Sequence, residues 1–84
     1  MKYNDIEIVK IPVESSNISS LGYHDEFQIM SIEMLDGHIY YYLDIPKIHF
    51  DNMIQNNKEK TDISSIGSYL HRNIKGNFRY IKIK

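Results

Sequence analysis

The chain contains no cysteine, which excludes a disulfide framework, a thiol nucleophile and a thiolate zinc site. No apolar run approaches the ~20 residues that a membrane-spanning helix needs. The opening Met1-Lys2-Tyr3-Asn4-Asp5 lacks the apolar stretch of a secretory signal, so a cytoplasmic protein is expected. Glycine-rich phosphate loops are missing, because Gly22, Gly37, Gly67 and Gly76 stand singly. No serine occupies a Gly-x-Ser-x-Gly elbow. Ser15-Ser16 and Ser64-Ser65 read instead as turn and cap residues. Carboxylates paired for acid–base work are not identifiable, so no residue pattern supports catalysis.

What is present suits one small folded domain. The 84 residues are 42% hydrophobic and 25% charged, an ordinary globular balance. A chain of this length buries only ~60% of its unfolded surface, which leaves little room for a deep cleft. The net charge of −1 argues against a general polyanion binder, but it hides an asymmetry. His71 to Lys84 carries Arg72, Lys75, Arg79, Lys82 and Lys84 without an acid, a total of +5. The first 70 residues therefore hold five bases against eleven acids, or −6. Such a split marks either an anionic partner for the basic end or charge balance within one fold.

The first half of the chain reads as strands. Ile6, Ile8, Ile11 and Val13 suit a short edge strand carrying Pro12, and the first ten residues are either an extra strand or a loose arm. Ser15-Ser16-Asn17 forms a turn, and Ile18 to Tyr23 a second strand in which Gly22 permits a bulge or a close approach. His24-Asp25-Glu26 is the next turn. Phe27 to Leu43 is a hairpin: Met30, Ile32 and Met34 alternate with polar residues, Asp36-Gly37 supplies a positive φ, and the returning strand His38 to Leu43 is rich in β-formers. A two-residue loop pairs Met34 with Ile39 and puts Tyr41 on the methionine face. A three-residue loop pairs Met34 with His38 and puts Tyr40 and Tyr42 there.

The period then changes. Asp44-Ile45-Pro46 looks like a capped helix start, followed by Ile48, Phe50, Met53 and Ile54 on a helix that ends among Asn56 and Asn57. A polar loop reaches Thr61. Asp62 then caps a second helix with Ile63, Ile66, Leu70 and Ile74 at spacings of three and four. Gly67 inside it costs ~1 kcal/mol relative to alanine, which suggests close packing. Lys75-Gly76-Asn77 ends the helix, and Phe78 to Lys84 alternates again and can return to the sheet edge. The expected fold class is α+β: an antiparallel β-meander with two helices packed on one face and a C-terminal edge strand.

Four histidines, His24, His38, His49 and His71, are widely spread and lack the spacing of a metal motif, so no metal or cofactor is expected. The seven tyrosines are the more informative excess. Aromatic rings on a sheet beside Arg and Lys form a stacking platform for single-stranded nucleic acid. Tyrosines also fill small cores with their hydroxyls at the rim.

From Val13-Glu14-Ser15-Ser16-Asn17-Ile18-Ser19-Ser20-Leu21-Gly22-Tyr23 onward the chain resembles the KTSC domain. This small module is named for the C-terminus of certain lysyl-tRNA synthetases and also stands alone in bacterial and phage proteins. The resemblance continues through Met30-x-Ile32-x-Met34, Asp36-Gly37, Tyr40-Tyr41-Tyr42 and Ile45-Pro46. It closes with Ile66-Gly67-Ser68-Tyr69-Leu70, Asn73-Ile74 and Tyr80, so it covers nearly everything after Lys10 in order. It implies structural roles for Ser16, Gly22, Tyr23, Gly37, Tyr40, Tyr42, Pro46, Gly67, Tyr69 and Ile74. It also favours the three-residue hairpin loop, with Tyr40 and Tyr42 inward. Ile66 stands where the family commonly has lysine, which weakens a phosphate contact there. Leu70 and His71 replace a typical Phe-Asn, and the connection from Gln55 to Ile63 is longer than usual.

The function that the resemblance implies is RNA binding. The expectation is a single non-catalytic domain over residues 1–84 that binds RNA or single-stranded nucleic acid weakly. Arg72, Lys75, Arg79 and Lys82 would contact phosphates, and Tyr41 or Tyr80 would stack on bases. The alternative is a protein–protein interaction module, a bacterial or phage adaptor or inhibitor, without nucleic-acid binding.

Overall fold

In the computed structural model, which describes residues 6–59 and 65–84, the hairpin at Asp36-Gly37 sets the frame of the fold. Strands β3 (Ile29–Met34) and β4 (Ile39–Tyr42) pair Met30 with Tyr42 and Ile32 with Tyr40. The Met34 N–H donates to the His38 carbonyl at 2.8 Å, and Gly37 takes a φ of +96°. The loop is therefore three residues long, because glycine alone enters that backbone region without a Cβ penalty. Tyr40 and Tyr42 share a face with Met30 and Ile32, as the three-residue register requires.

Strand β2 (Ile18–His24) pairs with β3, and β1 (Lys10–Pro12) lies outside β2. Strand β5 (Tyr80–Lys82) closes the far edge against β4. The sheet is an antiparallel meander in the order β1-β2-β3-β4-β5. Helix α1 (Lys47–Glu59) and the short helix α2 (Ser65–Tyr69) follow β4, and α2 runs into a π-turn over Leu70–Ile74. Among the described residues no helix is long and apolar enough to cross a membrane.

Both helices pack on the Tyr42 face. Leu21, Met30, Ile32 and Tyr42 from the sheet form one buried cluster with Ile45, Met53, Ile66, Leu70 and Ile74. Each fully buried aliphatic side chain contributes about 1.5–3 kcal/mol, so Met53 and the Ile66–Leu70–Ile74 row anchor the two helices. The opposite face is covered in part by the segment 6–9, with Ile8 seated over Gly22. Gly22 and Ser31 are buried beneath that segment's side of the sheet.

Several local expectations are corrected. The irregularity in β2 falls between Ile18 and Ser20, while Gly22 serves the close approach of Ile8 and Val9. Phe27 and Gln28 belong to the β2–β3 turn, where Gln28 adopts a positive φ. Residues 6–9 form no strand, and residues 1–5 lie outside the described part. Asp44 does not cap α1: it takes a φ of +56°, and the helix begins at Lys47. Asn56 and Asn57 do not end that helix, which reaches Glu59. Asp62 and Ile63 are outside the described residues. Gly67 is not closely packed against the described residues, among which a Cβ there would meet only Asn17 Nδ2, at 3.8 Å.

Candidate nucleic-acid interface

The turn at Ser15-Ser16-Asn17 and the helical segment after Ser65 are distant in sequence and face each other in the fold. Ser15 Oγ accepts hydrogen bonds from the Asn17 and Ile18 amides, both at 3.3 Å, and the Asn17 carbonyl accepts from Leu35 N–H at 2.8 Å. The turn is thus tied to the β3–β4 loop. Between it and the helix runs a groove of about 360 Å³. Ser16, Asn17 and Ile18 form one wall, and Gly67, Ser68, His71, Arg72 and Lys75 form the other.

The π-turn shapes the second wall. Lys75 N–H donates to the Leu70 carbonyl at 2.9 Å, the i to i−5 bond of a π-turn. The widened turn keeps Leu70 and Ile74 buried while His71 and Arg72 stay exposed. An α-helix would rotate later residues against the core differently, and single π-turns are frequent at functional sites.

A second groove of about 340 Å³ adjoins the first through Met34, Leu70 and Lys75. Tyr40, Tyr42 and Tyr80 give it an aromatic lining. Tyr80 is 57% exposed on the edge strand. Its ring packs edge-on to Tyr40 at 5.8 Å and tilted on Tyr42 at 5.4 Å, so one side is braced. Burial pushes the Tyr42 phenol pKa above its ordinary value of 10.0, with the neighbouring Tyr80 and Tyr40 adding to it. Asp36 also lines this groove, where its carboxylate accepts from His38 N–H at 3.1 Å.

The structure brings some of the expected site residues together and separates others. Arg72 and Lys75 line the first groove, Lys75 and Tyr80 the second. Lys82 pairs with Tyr40 and lies on the Tyr80 face of the sheet. None of these three cations forms an ion pair among the described residues. Arg79 turns away to Asp44, 3.4 Å from its carboxylate, in an exposed pair worth little. Tyr41 pairs with Ser31 and Ile81 on the opposite face, away from both grooves. Ile66 is buried in the core, so the substitution at that position leaves the groove wall untouched.

The remaining motif residues hold the frame. Tyr23 donates from its hydroxyl to the Ile45 carbonyl at 2.5 Å and stacks on Phe50. Burial raises its pKa above 10.0, with Asp25 and Asp51 adding to the effect. The Tyr69 hydroxyl accepts from Asn52 at 3.1 Å and shares a hydrogen bond with His49 Nδ1 at 2.8 Å. This ties α2 to α1. The Pro46 carbonyl accepts from His49 N–H in the first turn of α1. His24 Nδ1 accepts from Phe27 N–H, and His38 bonds the Lys84 carbonyl. Among the described residues no three His, Cys, Asp or Glu side chains are grouped to hold a metal.

Sequence reasoning missed the roles of Asn17 and Ser68 in the groove. The signal that could have found them was the adjacency of Ser16 and Gly67 in a motif set whose members are not all needed for packing. The KTSC domain family model matches residues 14–78. Among solved structures, the crystal structure of a KTSC domain protein from Yersinia pestis is 29% identical and superposes with a TM-score of 0.76. That match covers 93% of this chain and all of the other. No curated protein matches.

Proposed function

The chain belongs to the KTSC domain family, and from that premise we propose that it is a non-catalytic module binding single-stranded nucleic acid, RNA in particular, with modest affinity. The observation that carries this reading is Lys75, which lines both the cationic groove of Arg72 and the aromatic groove of Tyr80. Phosphate contacts supply affinity, and an exposed ring takes a base without reading its sequence. The braced Tyr80 needs little ordering to do so. Arg72, Lys75 and Lys82 carry the charge, and Arg79 joins them once it leaves Asp44.

Fluorescence anisotropy with mixed single-stranded RNA and DNA tests the reading. Three to four phosphate contacts give a slope of log Kobs against log salt of about −2 to −3. The double reversal Arg72→Glu with Lys75→Glu abolishes binding. Absence of binding by the wild-type protein at low salt, or unchanged binding after the reversal, refutes the reading. The first of these results turns attention to a protein partner.

A further inference from the structure

Gly67 is the residue that the fold leaves unexplained. Apart from proline, glycine is the poorest helix former, yet Gly67 sits inside α2 without a positive φ. Among the described residues outside its own helix, a Cβ there would meet a single atom within 4 Å, Asn17 Nδ2 at 3.8 Å, an ordinary contact. Neither backbone conformation nor packing against the described residues requires glycine. Both Gly67 and Asn17 line the groove of about 360 Å³. The missing Cβ therefore keeps that groove open where its two walls approach, and lets a ligand come close to the helix backbone.

The lining states what kind of ligand fits. Ser16, Asn17 and Ser68 offer uncharged hydrogen-bonding groups, and Arg72 and Lys75 offer positive charge. Among the described residues no Asp or Glu lines this groove. The Ser16–Asn17 wall is held by Ser15 Oγ and by Leu35 N–H before anything binds, which lowers the ordering cost of binding. Arginine beside hydroxyl and amide donors is the usual recognition set for phosphate oxygens.

We propose that this groove seats a phosphate group of the bound strand, and that the missing side chain of Gly67 admits it. The proposal rests on the reading above for the identity of the strand. The base attached to that phosphate reaches Tyr80 across Lys75, which borders both grooves.

The test compares Gly67→Ala and Gly67→Leu with wild type, using an RNA hexamer with a 5′-phosphate, the same hexamer with a 5′-hydroxyl, and adenosine 5′-monophosphate. Gly67→Ala is expected to raise the melting temperature by about 4–8 °C, because alanine is the better helix former and has room. Gly67→Leu fills the groove and weakens the hexamers by roughly tenfold or more, the loss of one charge-assisted contact. A preference for the phosphorylated hexamer assigns a terminal phosphate to the groove, and equal affinity an internal one. Hexamer affinity unchanged by both substitutions overturns the proposal and leaves the nucleic-acid reading standing. A fall in melting temperature for Gly67→Ala also overturns it, by showing that glycine serves packing. If wild type binds neither hexamer, the nucleic-acid reading fails, and amide NMR shifts with adenosine 5′-monophosphate decide the groove separately. Shifts at residues 16–17, 67–68, 72 and 75 that Gly67→Leu removes keep the phosphate seat, and no shifts overturn it.

Discussion

Replacing Gly22 with alanine sets two opposing effects against each other. In a strand interior alanine is favoured over glycine by about 0.5–1 kcal/mol through chain entropy. Against this, the new Cβ would stand 2.5 Å from Ile8 Cγ2 and 2.8 Å from the Val9 carbonyl oxygen. The first atom ends a side chain that can rotate, but the second is backbone. Restoring 3.4 Å to that oxygen moves the segment 6–9 outward by 3.4 − 2.8, about 0.6 Å. Because backbone has to move, the cost falls in the upper part of the overpacking range, about 2–3 kcal/mol, and an entropic gain of about 1 kcal/mol leaves a net loss of about 1–2 kcal/mol. For a domain of this size that lowers the melting temperature by roughly 5–15 °C. Thermal unfolding followed by circular dichroism measures it, and Ile8→Ala in a double-mutant cycle divides the clash. Ile8→Ala removes the 2.5 Å contact and leaves the carbonyl, so it should recover only part of the loss. A melting temperature of Gly22→Ala equal to or above wild type would show that residues 6–9 are not held on the sheet.

Two further outcomes follow from the tyrosines. The Tyr23 and Tyr42 phenols are both raised above 10.0, first by burial and then by neighbouring groups. As pH rises past 10.0 the unfolded chain releases these protons before the folded one does. Their stability contribution is therefore complete below that pH and falls as pH climbs through the folded values. The double variant Tyr23→Phe with Tyr42→Phe should flatten this alkaline loss in urea titrations, and an unchanged slope contradicts the cause given. Tyr80→Ala should weaken single-stranded RNA by roughly 5- to 150-fold, the loss of one stacked base at about 1–3 kcal/mol. Tyr41→Ala, on the other face, should leave affinity unaltered, and equal losses in the two variants would remove Tyr80 from the site.

The parts of the fold that were legible in the sequence are those set by neighbours in the chain. The β3–β4 hairpin follows from alternation on either side of Asp36-Gly37, and the Ile66, Leu70 and Ile74 row from helical spacing. Local pattern left its register open between two loops, because either could use the same glycine. The family resemblance chose the three-residue form, and the φ of Gly37 with the Met34–His38 bond realises it. Asn56 and Asn57 looked like a helix end because asparagine is a poor helix former, but propensity is a weak guide and α1 continues to Glu59. Asp44 resembled a cap by type and position, but the tight exit from β4 places it in a left-handed turn. The groove was illegible for a different reason. Its walls come from residues 16–18 and 67–75, which only the packed helix brings together. The π-turn has no local signature in Leu70-His71-Arg72-Asn73-Ile74.

The meander also orders the assembly of the molecule in time. Strands β1 to β4 are linked by residues 13–17, 25–28 and 35–38, so each pairing closes a short loop. Strand β5 must instead find β4 across residues 43–79, the stretch that carries both helices. Loop closure over that separation is the costliest in the sheet and delays the step. Tyr80 and Lys82 ride on that last strand, and its pairing completes the aromatic groove. The four earlier strands can pair with that groove still open, so under the proposed function the binding surface is complete only once the most non-local strand pairing has formed.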